Sequence, residues 1–216
     1  MQPDFTNKYQ PGLRWPAQFI SYLLHPVFVP LYAVAFLLYL HPSYFSGFSE
    51  KGKLQVMLII TLNAVFFPLL AIVLLKGLGF INSIYLRTKK DRIVPYIICN
   101  IFFFWTYNVF RQQDVYPTIV SSFWLGIFFA SSAALMANIY FKISMHSLGM
   151  GGWLGLFLII FRANNMLMTW PLALVIMLCG LVATARFLVS DHTEKEIYAG
   201  FFVGIASQFM SAYILL

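Results

Sequence analysis

What most constrains this chain is a succession of long apolar runs, at residues 15–40, 54–80, 94–110, 118–141, 153–161, 166–189 and 197–216, parted by short polar stretches. About 20 such residues cross the hydrocarbon core of a bilayer as an α-helix. Of the 216 residues, 61% are hydrophobic and only 10% charged, whereas soluble domains run near 45–50% and about 25%. The excess has to face lipid. The runs predict an all-α fold, a polytopic transmembrane helical bundle of about six or seven spans. It is expected to form a single integral-membrane domain over residues 1–216, with a polar N-terminal segment at 1–15. Little chain is left for an extramembrane domain, which puts any chemistry in short loops and at helix ends.

The same composition removes several function classes. Cys99 and Cys179 both lie inside apolar runs, leaving no material for a disulfide framework or a cysteine zinc site. Fourteen basic against seven acidic side chains give a net charge of +7, yet no polar domain presents a basic face to nucleic acid. The expected partner is therefore the lipid bilayer with its anionic lipids, and no nucleic acid. The run at 15–40 is too long for a signal-peptide core and lacks a small-residue cleavage site, so it reads as a retained helix. It holds Pro26 and Pro30 and is expected to kink there, while Pro68 interrupts the second run.

Three polar segments carry the candidate chemistry. The first, LRTKKDRIVP, packs Arg87, Lys89, Lys90, Asp91 and Arg92 together. The second, KISMHSLGMGG, reads as a glycine-bearing loop with Lys142, Ser144 and His146, followed by a short apolar segment that barely spans. The third, ARFLVSDHTEKE, leads into the last helix with Arg186, His192 and Glu196. With seven spans, pairs of spans separate the three segments, which places all of them on one membrane face.

His192 and Glu196 are four apart, the spacing of neighbours on one helical face. A carboxylate there can orient the imidazole and fix its tautomer, freeing the other ring nitrogen as base or nucleophile. Ser190 or Asp191 is expected to cap that helix, whose N-terminus offers free N–H groups to an anion. Blander readings stand beside these. SDHTEKE also suits a solvated helix start whose acidic residues favour the macrodipole. His146 fits a helix cap as well as a proton donor, and clustered Lys and Arg beside a span report topology. Arg186, Lys142 and Lys195 are placed to snorkel to headgroups. His25, read as buried mid-helix, and His41, read as lying in a turn on the opposite face, look structural, and Gly200 with Gly204 has the spacing of close helix packing.

In order and spacing, residues of these segments resemble the type-2 phosphatidic acid phosphatase superfamily, membrane lipid phosphatases that share their site with vanadium haloperoxidases. The family's third motif, S-R-x5-H-x3-D, is matched by Ala185-Arg186, five residues, His192, three residues and Glu196, with Ala for Ser and Glu for Asp. Its second, P-S-G-H, looks like Ile143-Ser144-Met145-His146. Its first, K-x6-R-P, is represented only loosely, by Lys89 or Lys90, Arg92 and Pro95. The similarity runs over about 87–204. It implies an integral-membrane phosphatase acting on lipid phosphates or diphosphates, such as phosphatidic acid, phosphatidylglycerol phosphate or polyprenyl diphosphates. His192 would attack phosphorus to give a phosphohistidine, Glu196 would orient it, and His146 would protonate the leaving group. Arg186, Arg92, Lys89, Lys90 and Ser144 would hold the phosphoryl oxygens, with no metal and no cofactor.

Two non-catalytic readings stand as alternatives: a degenerate relative that binds or transports lipid phosphates, and a structural subunit of a membrane complex. The expected location is the bacterial inner (cytoplasmic) membrane. Ten basic residues fall on the motif face (Lys8, Arg14, Lys76, Arg87, Lys89, Lys90, Arg92, Lys142, Arg186 and Lys195) and four on the other (Lys51, Lys53, Arg111 and Arg162). That bias points the motif face to the cytoplasm, whereas many bacterial members of the resembled family face the periplasm, so sidedness stays open.

Overall fold

A computed structural model describes residues 11–86, 88–163, 167–190 and 192–216; Lys8, Arg87 and Asp191, named above, lie outside the described residues, as does most of the polar segment at 1–15. Among the described residues the chain is helical and contains no strand. A short helix, α1 (Pro11–Leu23), precedes α2 (Val29–Leu40), and six longer helices follow. These are α3 (Glu50–Gly77), α4 (Lys89–Arg111), α5 (Thr118–Tyr140), α6 (Met145–Ala163), α7 (Thr169–Val189) and α8 (Glu194–Leu215), each long and apolar enough to cross a membrane. The polytopic bundle expected from the apolar runs is thus present, with six such helices.

The first apolar run is divided rather than kinked. Pro26 has no N–H to continue α1 and its ring excludes a helical turn before it, so α1 stops at Leu23 and a new helix starts at Val29 with Pro30 in its first turn. Within α3, Pro68 is accommodated differently. The turn just before it, Thr61–Phe66, widens to π geometry, which relieves the contact a proline ring makes with the carbonyl four residues back.

Helices α6 and α8 form the centre, with α5 against α8 and α4, α7 against α6, and α1 lying on α7. The central pair touches backbone to backbone. A Cβ placed on Gly204 would collide with the Leu148 carbonyl, and one on Gly200 would sit 2.8 Å from the Ser144 carbonyl. The spacing of these two glycines therefore does report close packing, which replaces a hydrophobic driving force where lipid is as apolar as the helices. The same seam corrects the expectation of a glycine-bearing loop at 142–152. Gly149, Gly151 and Gly152 lie inside α6, and the short apolar segment after them becomes a full 19-residue helix.

Polar groups finish the seam between α5 and α8. Gln208 lies over Gly126, where any side chain would displace it, and donates to the Phe123 carbonyl at 3.3 Å. Ser122 and Ser211 approach to 3.4 Å. Around the outside the helices are more loosely held: 61% of the most apolar stretch of α5 and of α6 is buried, against 17% for α3.

Candidate functional site

The three polar segments do meet at one end of the bundle: Glu196 joins the second to the third, and Arg92 joins the first to the second. Helix α8 starts after Thr193, whose hydroxyl accepts from the Glu196 N–H at 3.4 Å, while Glu196 Oε2 accepts from the Thr193 N–H at 2.9 Å. This reciprocal capping box makes Thr193 the cap in place of Ser190 or Asp191. Ser190 instead closes α7, its N–H donating to the Arg186 carbonyl at 3.2 Å. The T-x-x-E pattern at 193–196 was the sequence signal for this cap.

From its place in the first turn of α8 the Glu196 carboxylate reaches two further groups. Oε2 lies 3.1 Å from His192 Nδ1, and Oε1 accepts from the Lys142 N–H at 3.2 Å. The Glu196 carbonyl accepts from the Ser144 N–H at 3.2 Å. The longer arm of glutamate is what lets one carboxylate cap its own helix, hold a histidine just outside it, and tie down the α5–α6 turn.

His192 is almost wholly enclosed, its side chain 4% exposed. Burial first, and then the charges of Arg186, Arg92 and Lys142, hold its pKa down to about 4 against the opposing hydrogen bond to Glu196. At neutral pH the ring is uncharged, with Nδ1–H donating to the Glu196 carboxylate.

The basic segment is knitted to the α5–α6 turn. Arg92, 8% exposed, donates through Nε to the Leu86 carbonyl at 2.9 Å and through Nη1 to the Ile143 carbonyl at 3.0 Å. Lys89 Nζ donates to the Tyr140 carbonyl at 2.6 Å, and Asn138 Nδ2 returns a bond to the Lys89 carbonyl at 2.8 Å. Lys90 is exposed. The Ser144 hydroxyl, fully buried, accepts from the Ser147 N–H and hydroxyl at 3.4 and 3.2 Å.

His146 sits in the first turn of α6 and donates through Nε2 to the Ser21 carbonyl at 3.0 Å. Its ring lies 5.1 Å, centroid to centroid, from that of His25. His25 is therefore not mid-helix: it occupies the break between α1 and α2, with Nδ1 accepting from the Val27 N–H at 3.4 Å. Burial, and then the Arg186 charge, lower its pKa to about 4. Sequence reasoning also passed over Thr193 and Asn138. Among the described residues no group of three or more His, Cys, Asp or Glu comes together to hold a metal ion. The cluster is a compact polar knot with cationic surroundings, an environment that favours an anion over a cation.

Residues 93–196, just under half of the chain, match the family described as the 4TM region of DNA translocase FtsK/SpoIIIE. No curated protein and no solved structure matches the chain. The family match overturns the resemblance to the type-2 phosphatidic acid phosphatases, and with it the lipid phosphatase function, and lends no support to a lipid-phosphate substrate. The physical reason lies in the spacing that carried the resemblance. A histidine four residues before a glutamate is also what a capping box with an adjoining histidine requires, and Arg92, Lys89 and Ser144 hydrogen-bond within the bundle's own turns. The match begins in the second turn of α4, runs through α5, α6 and α7, and ends in the first turn of α8. The chain is thus an integral membrane protein, similar over four consecutive spans to the 4TM region of a DNA translocase.

Proposed function

We propose that the chain is a structural subunit of a membrane complex, an anchor that fixes a DNA-translocase type of assembly in the bilayer. The family match over four spans carries this reading. Two features support it: the links between helices are short, and the polar residues of the motif face are largely engaged in holding helix ends together. On this reading the cluster keeps the bundle rigid at the face where a partner docks. Lys90, exposed at that end of the bundle, contacts anionic headgroups, and a cationic side chain near such a surface contributes about 1 kcal/mol.

Purification from native membranes in a mild detergent after brief crosslinking tests the reading. A DNA-translocating partner recovered at fixed stoichiometry is the expected result. A chain that migrates free of any partner, with its fold intact by circular dichroism, overturns it.

A further inference from the structure

Helix α1 is clasped to the bundle at its end. Along its length it lies on α7 with only Ala17 and Ser21 buried, while Trp15, Phe19 and Tyr22 stay exposed. Its last turn is gripped by side chains of two other helices. The Ser21 carbonyl accepts from His146 Nε2 of α6 at 3.0 Å, and the Leu23 carbonyl accepts from the Tyr32 hydroxyl of α2 at 2.9 Å. Such carbonyls are the groups that a helix end leaves without partners of its own. Just beyond them Pro26 is seated on α6, where a Cβ on Gly149 would lie 3.1 Å from the Pro26 Cβ.

His25 occupies the pivot between grip and seat. Its Nδ1 accepts from the Val27 N–H at 3.4 Å, which an imidazolium does not do, because both of its nitrogens are donors. Its ring meets that of His146 edge-on, the planes 85° apart, and the Arg186 charge of α7 bears on it. Behind His146 stands His192, hydrogen-bonded to Glu196. Among the described residues no carboxylate bears on His25 itself. A proton there therefore removes an acceptor and adds a charge that faces a cation. His146 differs, since its Nε2 donates to the Ser21 carbonyl in either charge state.

We propose that the break between α1 and α2 is a proton-operated hinge: neutral His25 keeps α1 clasped on α7, and its protonation lets α1 swing away about Pro26 while the six long helices stay folded. Little apolar cost opposes the swing, because lipid covers what α1 leaves. Burial and then the Arg186 charge hold His25 at about 4 in the clasped form, against 6.5 for a free imidazole. The released form therefore binds the proton more tightly, and the ratio of released to clasped chain rises by at most about tenfold for each pH unit from 6.5 down to 4. The hinge goes beyond the assembly reading above and does not depend on it.

The test is a pH series of spin-label distances in the full chain, with Cys99 and Cys179 replaced by alanine, in phosphatidylethanolamine/phosphatidylglycerol vesicles. Labels at Gln18→Cys of α1 and Thr184→Cys of α7, both exposed positions, report the clasp. Labels at Met136→Cys of α5 and Phe202→Cys of α8, also exposed, report the bundle. Between pH 7.5 and 4.5 the first distance is expected to lengthen and broaden and the second to hold. His25→Asn, whose side-chain oxygen accepts from the N–H two residues on and carries no charge, is expected to keep the first distance short throughout. His146→Gln, whose amide still donates to the Ser21 carbonyl, is expected to respond as the parent does. An unchanged parent, a His25→Asn chain that lengthens like the parent, or a His146→Gln chain that loses the response overturns the proposal. So do two distances that change together, which is the bundle loosening as a whole.

Discussion

Helices α6 and α8 meet through Gly200 and Gly204 with backbone against backbone, whereas α3 meets α4 through Phe67 and Phe102, stacked with ring centroids 5.3 Å apart. Both junctions join apolar helices of about the same length. Small residues bring main chains together and leave lipid no entry, while large rings prop the helices apart and leave a groove beside them. Within a bilayer, where apolar surface gains little by leaving lipid, closeness of approach is what stabilises a helix pair. The inner seam is therefore the part that fixes the fold.

The sharpest way to break this contrast is Gly204→Val. Neither the Leu148 carbonyl nor the Gly152 N–H, 2.7 Å from the added Cβ, can yield without parting the helices. A loss of about 3 kcal/mol or more is expected, read as a fall in thermal midpoint in detergent. Glu196→Ala should come next, costing about 2 kcal/mol by the same measurement, because it removes the capping box and the partners of His192 and Lys142 together. Glu196→Gln, which still caps the helix, should recover most of that loss.

Acid should act on the same end of the bundle through its buried histidines. His25 and His192 are both held at about 4, below the 6.5 of an unfolded chain. Between those values the unfolded chain binds the extra protons. Stability is therefore full above about pH 6.5 and is lost as pH falls toward 4. His192→Gln should flatten that slope in a pH series of unfolding midpoints. The smallest effect tests the outer surface. A Cβ on Gly180 of α7 meets nothing within 4 Å, so Gly180→Ala is expected to raise stability by about 0.4–1 kcal/mol.

Hydropathy alone made the bundle legible, since apolar runs of this length have no other stable home. Counting the spans between LRTKKDRIVP, KISMHSLGMGG and ARFLVSDHTEKE was enough to bring Arg92, Ser144 and Glu196 to one face. Local pattern misled where tertiary contact decided the outcome. The glycines at 149–152 carry the signature of a loop, but the same absence of side chains admits α8, and only the neighbour distinguishes the two. The segment from Arg186 to Glu196 has the spacing of a catalytic motif because helix capping and imidazole orientation both need a carboxylate one turn away.

Glu196 also has a consequence for how the molecule is made. Lys142 emerges 54 positions ahead of it, a delay of roughly 3–10 s at ordinary rates of synthesis. During that interval the turn between α5 and α6 must hold its amide groups against water at the bilayer edge, with no carboxylate to receive them. Lateral entry of α8 into the membrane supplies the acceptors. The firmness of segments translated early is thereby conferred by one translated later.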